Sequence, residues 1–171
     1  TLPNLQNLIL NDCQLRGRIP RSIGNASLLR YIQLGDNQLE GALPLEVGSL
    51  KDLEVLTVES NRLEDEWWGS DGWDLIASLS NCSKLFYLSL DSNSFRGVLP
   101  PSIVNLSSTM QKLHLSHNGF HGAIPWDIRK LSSLTILTLR GNLLTGSIPP
   151  SIGELHSLGV LDLSENNISG G

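Results

Sequence analysis

Seven times along 171 residues, aliphatic side chains recur as L-x-x-L-x-L, and three positions later the residue is asparagine in six of the seven units. The triplets are Leu5/Leu8/Leu10, Leu29/Ile32/Leu34, Leu53/Leu56/Val58, Leu85/Leu88/Leu90, Met110/Leu113/Leu115, Leu134/Leu137/Leu139 and Leu158/Leu161/Leu163. They close on Cys13, Asn37, Asn61, Asn93, Asn118, Asn142 and Asn166, a near-constant spacing broken by one longer step from Asn61 to Asn93. A period of roughly 24 residues restricts the chain to a coil of stacked turns, each touching only its neighbours. The x-L-x-L-x stretch alternates with period two, which makes a short strand with aliphatics inward and variable residues outward. A buried leucine contributes roughly 1.5–3 kcal/mol, but one turn alone has nothing to bury it against, so only the stack is stable.

The asparagine has a different task. Where the chain leaves each strand and turns inward, backbone N–H and C=O groups lose their water. An amide side chain offers two donors and an acceptor to replace it. Repeated turn after turn, these side chains predict a ladder, which is a structural role and not a catalytic one. Cys13, at the first rung, is expected to be a small buried substitute.

Composition narrows the partners. Charged residues are 17% and the net charge is −5, which gives no basic footprint for nucleic acid. No apolar run approaches the length of a membrane span, so no direct membrane contact is expected in this segment. The repeat is already running at Thr1–Leu5 and stops at Gly170-Gly171 within the seventh unit, with no polar cap at either end. Residues 1–171 are therefore expected to be one solenoid cut from a longer protein.

After the asparagine, most units continue in a second pattern: Leu15-Arg-Gly17-Arg-Ile19-Pro20, Leu39-Glu-Gly41-Ala-Leu43-Pro44, Phe95-Arg-Gly97-Val-Leu99-Pro100, Phe120-His-Gly122-Ala-Ile124-Pro125 and Leu144-Thr-Gly146-Ser-Ile148-Pro149. This L-x-G-x-I-P signature resembles the plant-type leucine-rich repeat of receptor-like kinases and receptor-like proteins. The resemblance implies an α/β solenoid, a right-handed superhelix of about seven repeats. It would have a concave parallel β-sheet, short 3-10 or helical convex segments, and a second small sheet built by the L-x-G-x-I-P stretches. The third unit departs from the pattern. It is longer than the others and lacks G-x-I-P after Leu63, making 64–84 an irregular longer repeat.

Within it, Trp73-Asp74-Leu75-Ile76-Ala77-Ser78-Leu79-Ser80-Asn81-Cys82-Ser83-Lys84-Leu85 resembles a unit found in the subgroup of receptor kinases that sense bacterial molecules. The resemblance implies an extracellular ligand-recognition module of a plant immune receptor, on the apoplastic face of the plasma membrane in a single-pass membrane protein. It implies a peptide or protein ligand and a leucine-rich-repeat co-receptor kinase as partners. Any kinase domain would lie outside this chain. Two other readings stand beside it: a secreted inhibitor of a cell-wall-degrading enzyme such as polygalacturonase, and a spacer whose parent binds its partners elsewhere.

Outward positions on the strands supply the candidate ligand site: Tyr31, Gln33, Asp36, Glu59, Tyr87, Asp91, His114, His117 and Arg140. The tyrosines are amphipathic anchors of the kind interfaces favour. Asp36, Glu59 and Asp91 make one half acidic, and His114, His117 and Arg140 make the other basic, a polarity suited to orienting an extended peptide. A merely solvated face is the alternative. In the long unit, Trp67 and Trp68 are contact candidates, and Ser70 or Asp71 is expected to cap a helix whose inner face is Trp73, Ile76 and Leu79.

Four N-x-S sequons, at Asn25, Asn81, Asn105 and Asn167, are glycosylation candidates. Cys13 and Cys82 lie about three units apart, roughly 14 Å at the usual strand spacing, too far for a disulfide. The histidines, including His121 and His156, lack the third ligand of a metal site. No nucleophile–base pair, phosphate loop or carboxylate dyad stands at useful spacing, so neither enzymatic activity nor a cofactor is expected.

Overall fold

The computed structural model describes residues 2–64 and 74–170. The expectations resting on Trp67, Trp68, Ser70, Asp71 and Trp73 therefore lie outside the described residues. The alternating stretches form β1 (Asn7–Ile9), β3 (Tyr31–Gln33), β5 (Val55–Thr57), β7 (Tyr87–Ser89), β9 (Lys112–His114), β11 (Ile136–Thr138) and β13 (Val160–Asp162). Between them lie β2 (Arg16–Gly17), β4 (Gln38–Gly41), β6 (Arg62–Leu63), β8 (Arg96–Val98), β10 (Gly119–Gly122), β12 (Leu143–Gly146) and β14 (Asn167–Ile168).

The odd-numbered strands make one parallel sheet in chain order. Its register aligns Leu8, Ile32, Leu56, Leu88, Leu113, Leu137 and Leu161 in a single row. From Ile32 to Leu137 that row is at most 1% exposed, whereas Leu161 in the edge strand is 38% exposed. Burial thus depends on having a turn on each side.

The even-numbered strands make a second layer, and it is divided. Among the described residues β2-β4-β6 and β8-β10-β12-β14 are separate sheets, where the family resemblance implied one. The division falls after Leu63, where the third unit has no Gly-x-Ile-Pro to carry the strand on. One backbone bond, Ser94 N–H to the Leu63 carbonyl at 2.7 Å, links the two sides.

Each Pro of the signature ends the second-layer strand, because it has no N–H for the ladder and a fixed φ. Pro20, Pro44, Pro100, Pro125 and Pro149 stand in extended geometry immediately before the 3-10 turns Arg21–Asn25, Leu45–Ser49, Pro101–Asn105, Trp126–Lys130 and Pro150–Glu154. These turns form the convex row. In the third unit the helix α1 (Asp74–Leu79) takes that place, packed between Leu45–Ser49 and Pro101–Asn105. It buries Ile76 and Leu79, as the inner-face pattern requires, and Leu75 as well. α1 approaches the preceding turn so closely that a Cβ at Gly48 would overlap the Ser78 hydroxyl and carbonyl.

The asparagines form the expected ladder. The Asn142 Oδ1 accepts from Phe120 N–H at 3.0 Å, and its Nδ2 donates to the carbonyls of Leu115 (2.9 Å), Leu139 (2.9 Å) and Arg140 (3.3 Å). Two turns are thereby tied through one side chain. Asn37, Asn61, Asn93, Asn118 and Asn166 repeat the arrangement. Cys13 departs from expectation. It is exposed: its turn carries the edge strand β1, and among the described residues no further turn packs on it. Its N–H instead donates to the Asn37 Oδ1 at 3.1 Å. Both cysteines are free, and burial pushes the Cys82 thiol up to about 11.

Two consequences can be measured by urea unfolding. Asn142→Ala strands one buried N–H and three carbonyls, so it is expected to cost at least about 2 kcal/mol. Asn142→Asp should cost as much or more, since it opposes a carboxylate to carbonyl oxygens. Gly48→Ala forces α1 outward and is expected to destabilise by about 1–3 kcal/mol. Gly153, at the same repeat position, has nothing within 4 Å of its added Cβ, so Gly153→Ala should be neutral or stabilise by up to about 1 kcal/mol.

Candidate functional site

Outward residues of the seven-stranded sheet fall into cross-strand rows. One row is Asn7, Tyr31, Val55, Tyr87, Lys112, Ile136 and Val160, and the next is Ile9, Gln33, Thr57, Ser89, His114, Thr138 and Asp162. Glu59, Asp91 and Arg140 stand two residues beyond β5, β7 and β11. Asp36 and His117 come one residue later in the turns. All nine candidates therefore share one face. Tyr31, Gln33, Glu59, Tyr87, Asp91 and His114 are half-buried, and Asp36, His117 and Arg140 are exposed.

Asp36 and His117 also have a backbone role. Their φ values are +54° and +51°, and Asp12, Ser60, Ser92, Gly141 and Glu165 repeat this left-handed geometry at the same place in their units. The reversal turns the chain inward just before the ladder asparagine. The sequence signal was the glycine at 141, in a column whose other members include Asp and His, residues that tolerate this region.

At one end, Tyr31 is fixed by partners that single-residue reasoning missed. The Arg30 guanidinium donates to Glu54 Oε1 at 2.9 and 2.6 Å, and the Tyr31 hydroxyl donates to Oε2 at 2.9 Å. Arg30 also lies 5.7 Å from the Tyr31 ring centre. Arg30's hydrogen bond, reinforced by Tyr31's, holds the Glu54 carboxyl below its ordinary range, and the bond to Glu54 raises the Tyr31 hydroxyl. Arg30 and Glu54 occupy one repeat position in successive units, so opposite charges one period apart were the signal.

Tyr87 is the hub of the central strands. Its ring lies 5.4 Å from that of His114, tilted by 58°, and Lys112 Nζ stands 5.4 Å from its centre. Burial, followed by the negative charges of Glu59 and Asp91, pushes the Tyr87 hydroxyl up. Asp91 accepts from the Ser116 N–H with one oxygen, and its other lies 3.5 Å from His114 Nδ1. Glu59 lies across Gly35, where a Cβ would come within 2.6 Å of Oε1. Its Oε2 is shut off from solvent and has no hydrogen-bond donor among the described residues. The floor between the tyrosines is also closed: Val55 is 4% exposed, and Thr57 and Ser89 are each 2% exposed, although all three point outward.

The expected division into acidic and basic halves is blurred. Arg140 pairs with Glu165 at 2.6 Å and His114 faces Asp91, so two of the three basic groups sit beside carboxylates. Asp36 and Glu59 have no ion-pair partner among the described residues, which leaves the face predominantly acidic. Among the described residues, no group of three or more His, Cys, Asp or Glu is placed to hold a metal ion, and no helix is long and apolar enough to cross a membrane. The sequon asparagines Asn25, Asn81, Asn105 and Asn167 are all exposed and lie off the seven-stranded sheet.

Known proteins agree with this geometry. Models of the leucine-rich repeat match residues 108–168, 4–26 and 84–106, together well over half of the chain. The LRR receptor-like serine/threonine-protein kinase EFR of Arabidopsis thaliana is 44% identical over 70 residues, 41% of this chain and 7% of that kinase. The receptor kinase-like protein Xa21 of Oryza sativa subsp. japonica is 45% identical over 69 residues, 40% of this chain and 7% of that protein. Among solved structures, the Arabidopsis receptor kinase HAESA, in complex with the peptide hormone IDA and the co-receptor SERK1, matches with TM-score 0.87 and 31% identity over 99% of this chain and 27% of its own. The plant peptide hormone receptor RGFR1, in complex with RGF2, gives TM-score 0.88 and 36% identity over 99% of this chain and 26% of its own. The chain thus spans about a quarter of those solved ectodomains and a far smaller share of the two kinases. Repeat geometry and sequence together establish that the chain belongs to the leucine-rich-repeat family, as a homologue of the ectodomains of plant leucine-rich-repeat receptor-like kinases.

Proposed function

We propose that this chain is part of the extracellular ligand-recognition module of a plant cell-surface immune receptor kinase, and that it binds a peptide or protein across the seven-stranded sheet. The observation that carries the reading is the group around Tyr87. Four outward residues of three adjacent units, Glu59, Tyr87, Asp91 and His114, are held in contact or in charge range of one another. They are half-buried without belonging to the leucine core. Glu59 Oε2, a buried acceptor without a donor among the described residues, is a group that a ligand's N–H can satisfy. The receptor-kinase assignment is supported by the similarity to EFR and Xa21, and the immune role rests on the resemblance of the Trp73–Leu85 unit.

Partners follow by the same route. HAESA is solved with a peptide hormone and a co-receptor, and RGFR1 with RGF2. The corresponding partners here are an extended peptide on the strand face and a leucine-rich-repeat co-receptor kinase. The parent protein would present both at the apoplastic side of the plasma membrane, with its kinase on the other.

The test is a peptide selected from a random display library against the wild-type protein, then titrated against a Tyr87→Ala/Asp91→Ala variant. The variant is expected to bind at least about tenfold more weakly, near 1.4 kcal/mol, with its far-ultraviolet circular dichroism unchanged and its urea midpoint lowered, because Asp91→Ala removes the acceptor of the Ser116 N–H. Equal affinity for both proteins would reject the placement.

A further inference from the structure

Of the ladder asparagines, Asn118 alone is followed by glycine, and no other asparagine in the chain is. The remaining rungs precede Gln38, Arg62, Ser94, Leu143 and Asn167. Gly119 serves packing. It faces Arg96 of β8, and a Cβ there would come within 2.9 Å of Arg96 Cγ and 3.2 Å of the Phe95 carbonyl oxygen. The same missing Cβ leaves the Gly119 nitrogen unshielded on the side of Asn118. A main-chain nitrogen and a primary amide thus stand one ring closure apart.

In the closed turn both reacting groups are held elsewhere. The Gly119 N–H donates to the Phe95 carbonyl at 2.7 Å. The Asn118 Oδ1 accepts from the Phe95 N–H at 3.2 Å, and Nδ2 donates to the carbonyls of Leu90 (2.9 Å) and Ser116 (3.0 Å). Ring closure turns the amide carbon back onto the Gly119 nitrogen, so these bonds must break first. They break together only when the fifth unit leaves the fourth.

We propose that Asn118-Gly119 is a self-modifying site gated by opening of the fifth unit, and that its products keep the unit from closing properly again. The Gly119 nitrogen gives up its proton and bonds to the Asn118 Cγ. The bond from Cγ to Nδ2 breaks, and that nitrogen leaves with the electron pair, taking up a proton to depart as ammonia. One water then opens the cyclic imide at either carbonyl. One product is aspartate; the other is isoaspartate, whose main chain runs through Cβ and Cγ and is one carbon longer. Neither rebuilds the rung. Aspartate sets a carboxylate against the Leu90 and Ser116 carbonyls, and isoaspartate puts Gly119 out of register with Arg96. The rung joins the unit of Asp91 to that of His114 and Ser116, both of which Asp91 meets. Modification therefore loosens the outer face at Tyr87 along with the stack.

The chemistry needs only water and does not rest on ligand binding. The test holds the full-length protein at neutral pH in native buffer and in urea that unfolds the solenoid. Peptide mass spectrometry follows a gain of about 1 Da at Asn118. The gain is expected to be at least about tenfold faster in urea, because opening limits the native rate. Equal rates in the two solutions would overturn the gate. In urea, where folding plays no part, Gly119→Leu should slow the gain at least about tenfold; an unchanged rate would overturn the part given to glycine. After return to native buffer, hydrogen exchange is read in the peptide containing Asn118. Modified molecules should exchange faster there than unmodified molecules of the same sample. Equal protection would mean that the rung re-forms, and the one-way closure would be wrong.

Discussion

Everything in this molecule depends on the inward turn after each strand being made without stranding backbone groups. Stacked leucines supply the driving force, but burying them requires the chain to pass through the interior, where an unpaired N–H or C=O costs on the order of 1–3 kcal/mol. The left-handed residue at 36, 60, 92, 117, 141 or 165 swings the chain inward, and the following asparagine satisfies what that swing hides. Each asparagine reaches carbonyls in its own turn and in the one before, so the same bonds that relieve the turn fix the register of the stack. Register in turn decides which side chains meet on the outer face.

The period made much of this legible in advance. Residues one period apart stack because one turn of the coil takes one period, so the rows from Asn7 to Val160 and from Ile9 to Asp162 could be written down before any coordinates. The ladder was legible for a related reason: a buried position that repeats Asn is asking for donors and an acceptor together. The helix in the long unit followed from the Ile76 and Leu79 spacing. Its role as a stand-in for a 3-10 turn, pressed against Gly48, is a packing fact that no local pattern carries.

What stayed hidden was set by contact between units. Thr57 and Ser89 are each 2% exposed although both point outward, a closure their own polarity does not announce. Arg30 with Glu54 and Arg140 with Glu165 redistribute the charge that a residue-by-residue reading assigned to halves of a groove. Cys13 shows the converse error: its pattern position says buried, but a rung is buried only when a turn lies beyond it. The division of the second layer belongs to the same class: β6 ends at Leu63, where the third unit lacks the proline-bounded signature, and among the described residues it does not pair with β8 of the next unit.

A solenoid separates holding together from recognising. The inward rows and the ladder are fixed by stability, while outward positions are free to vary, because a solvent-facing side chain costs the stack little. Departures from cheap solvent exposure on that face therefore need a reason of their own. Around Tyr87 there are several: a tyrosine laid against a histidine, two carboxylates near its hydroxyl, small polar residues shut from water, and a Glu59 oxygen without a donor among the described residues. None of these strengthens the leucine row, which is already dry. The packing around Tyr87 is therefore set by contacts across three units, Glu59, Asp91 and His114 among them, and not by burial of the leucine row.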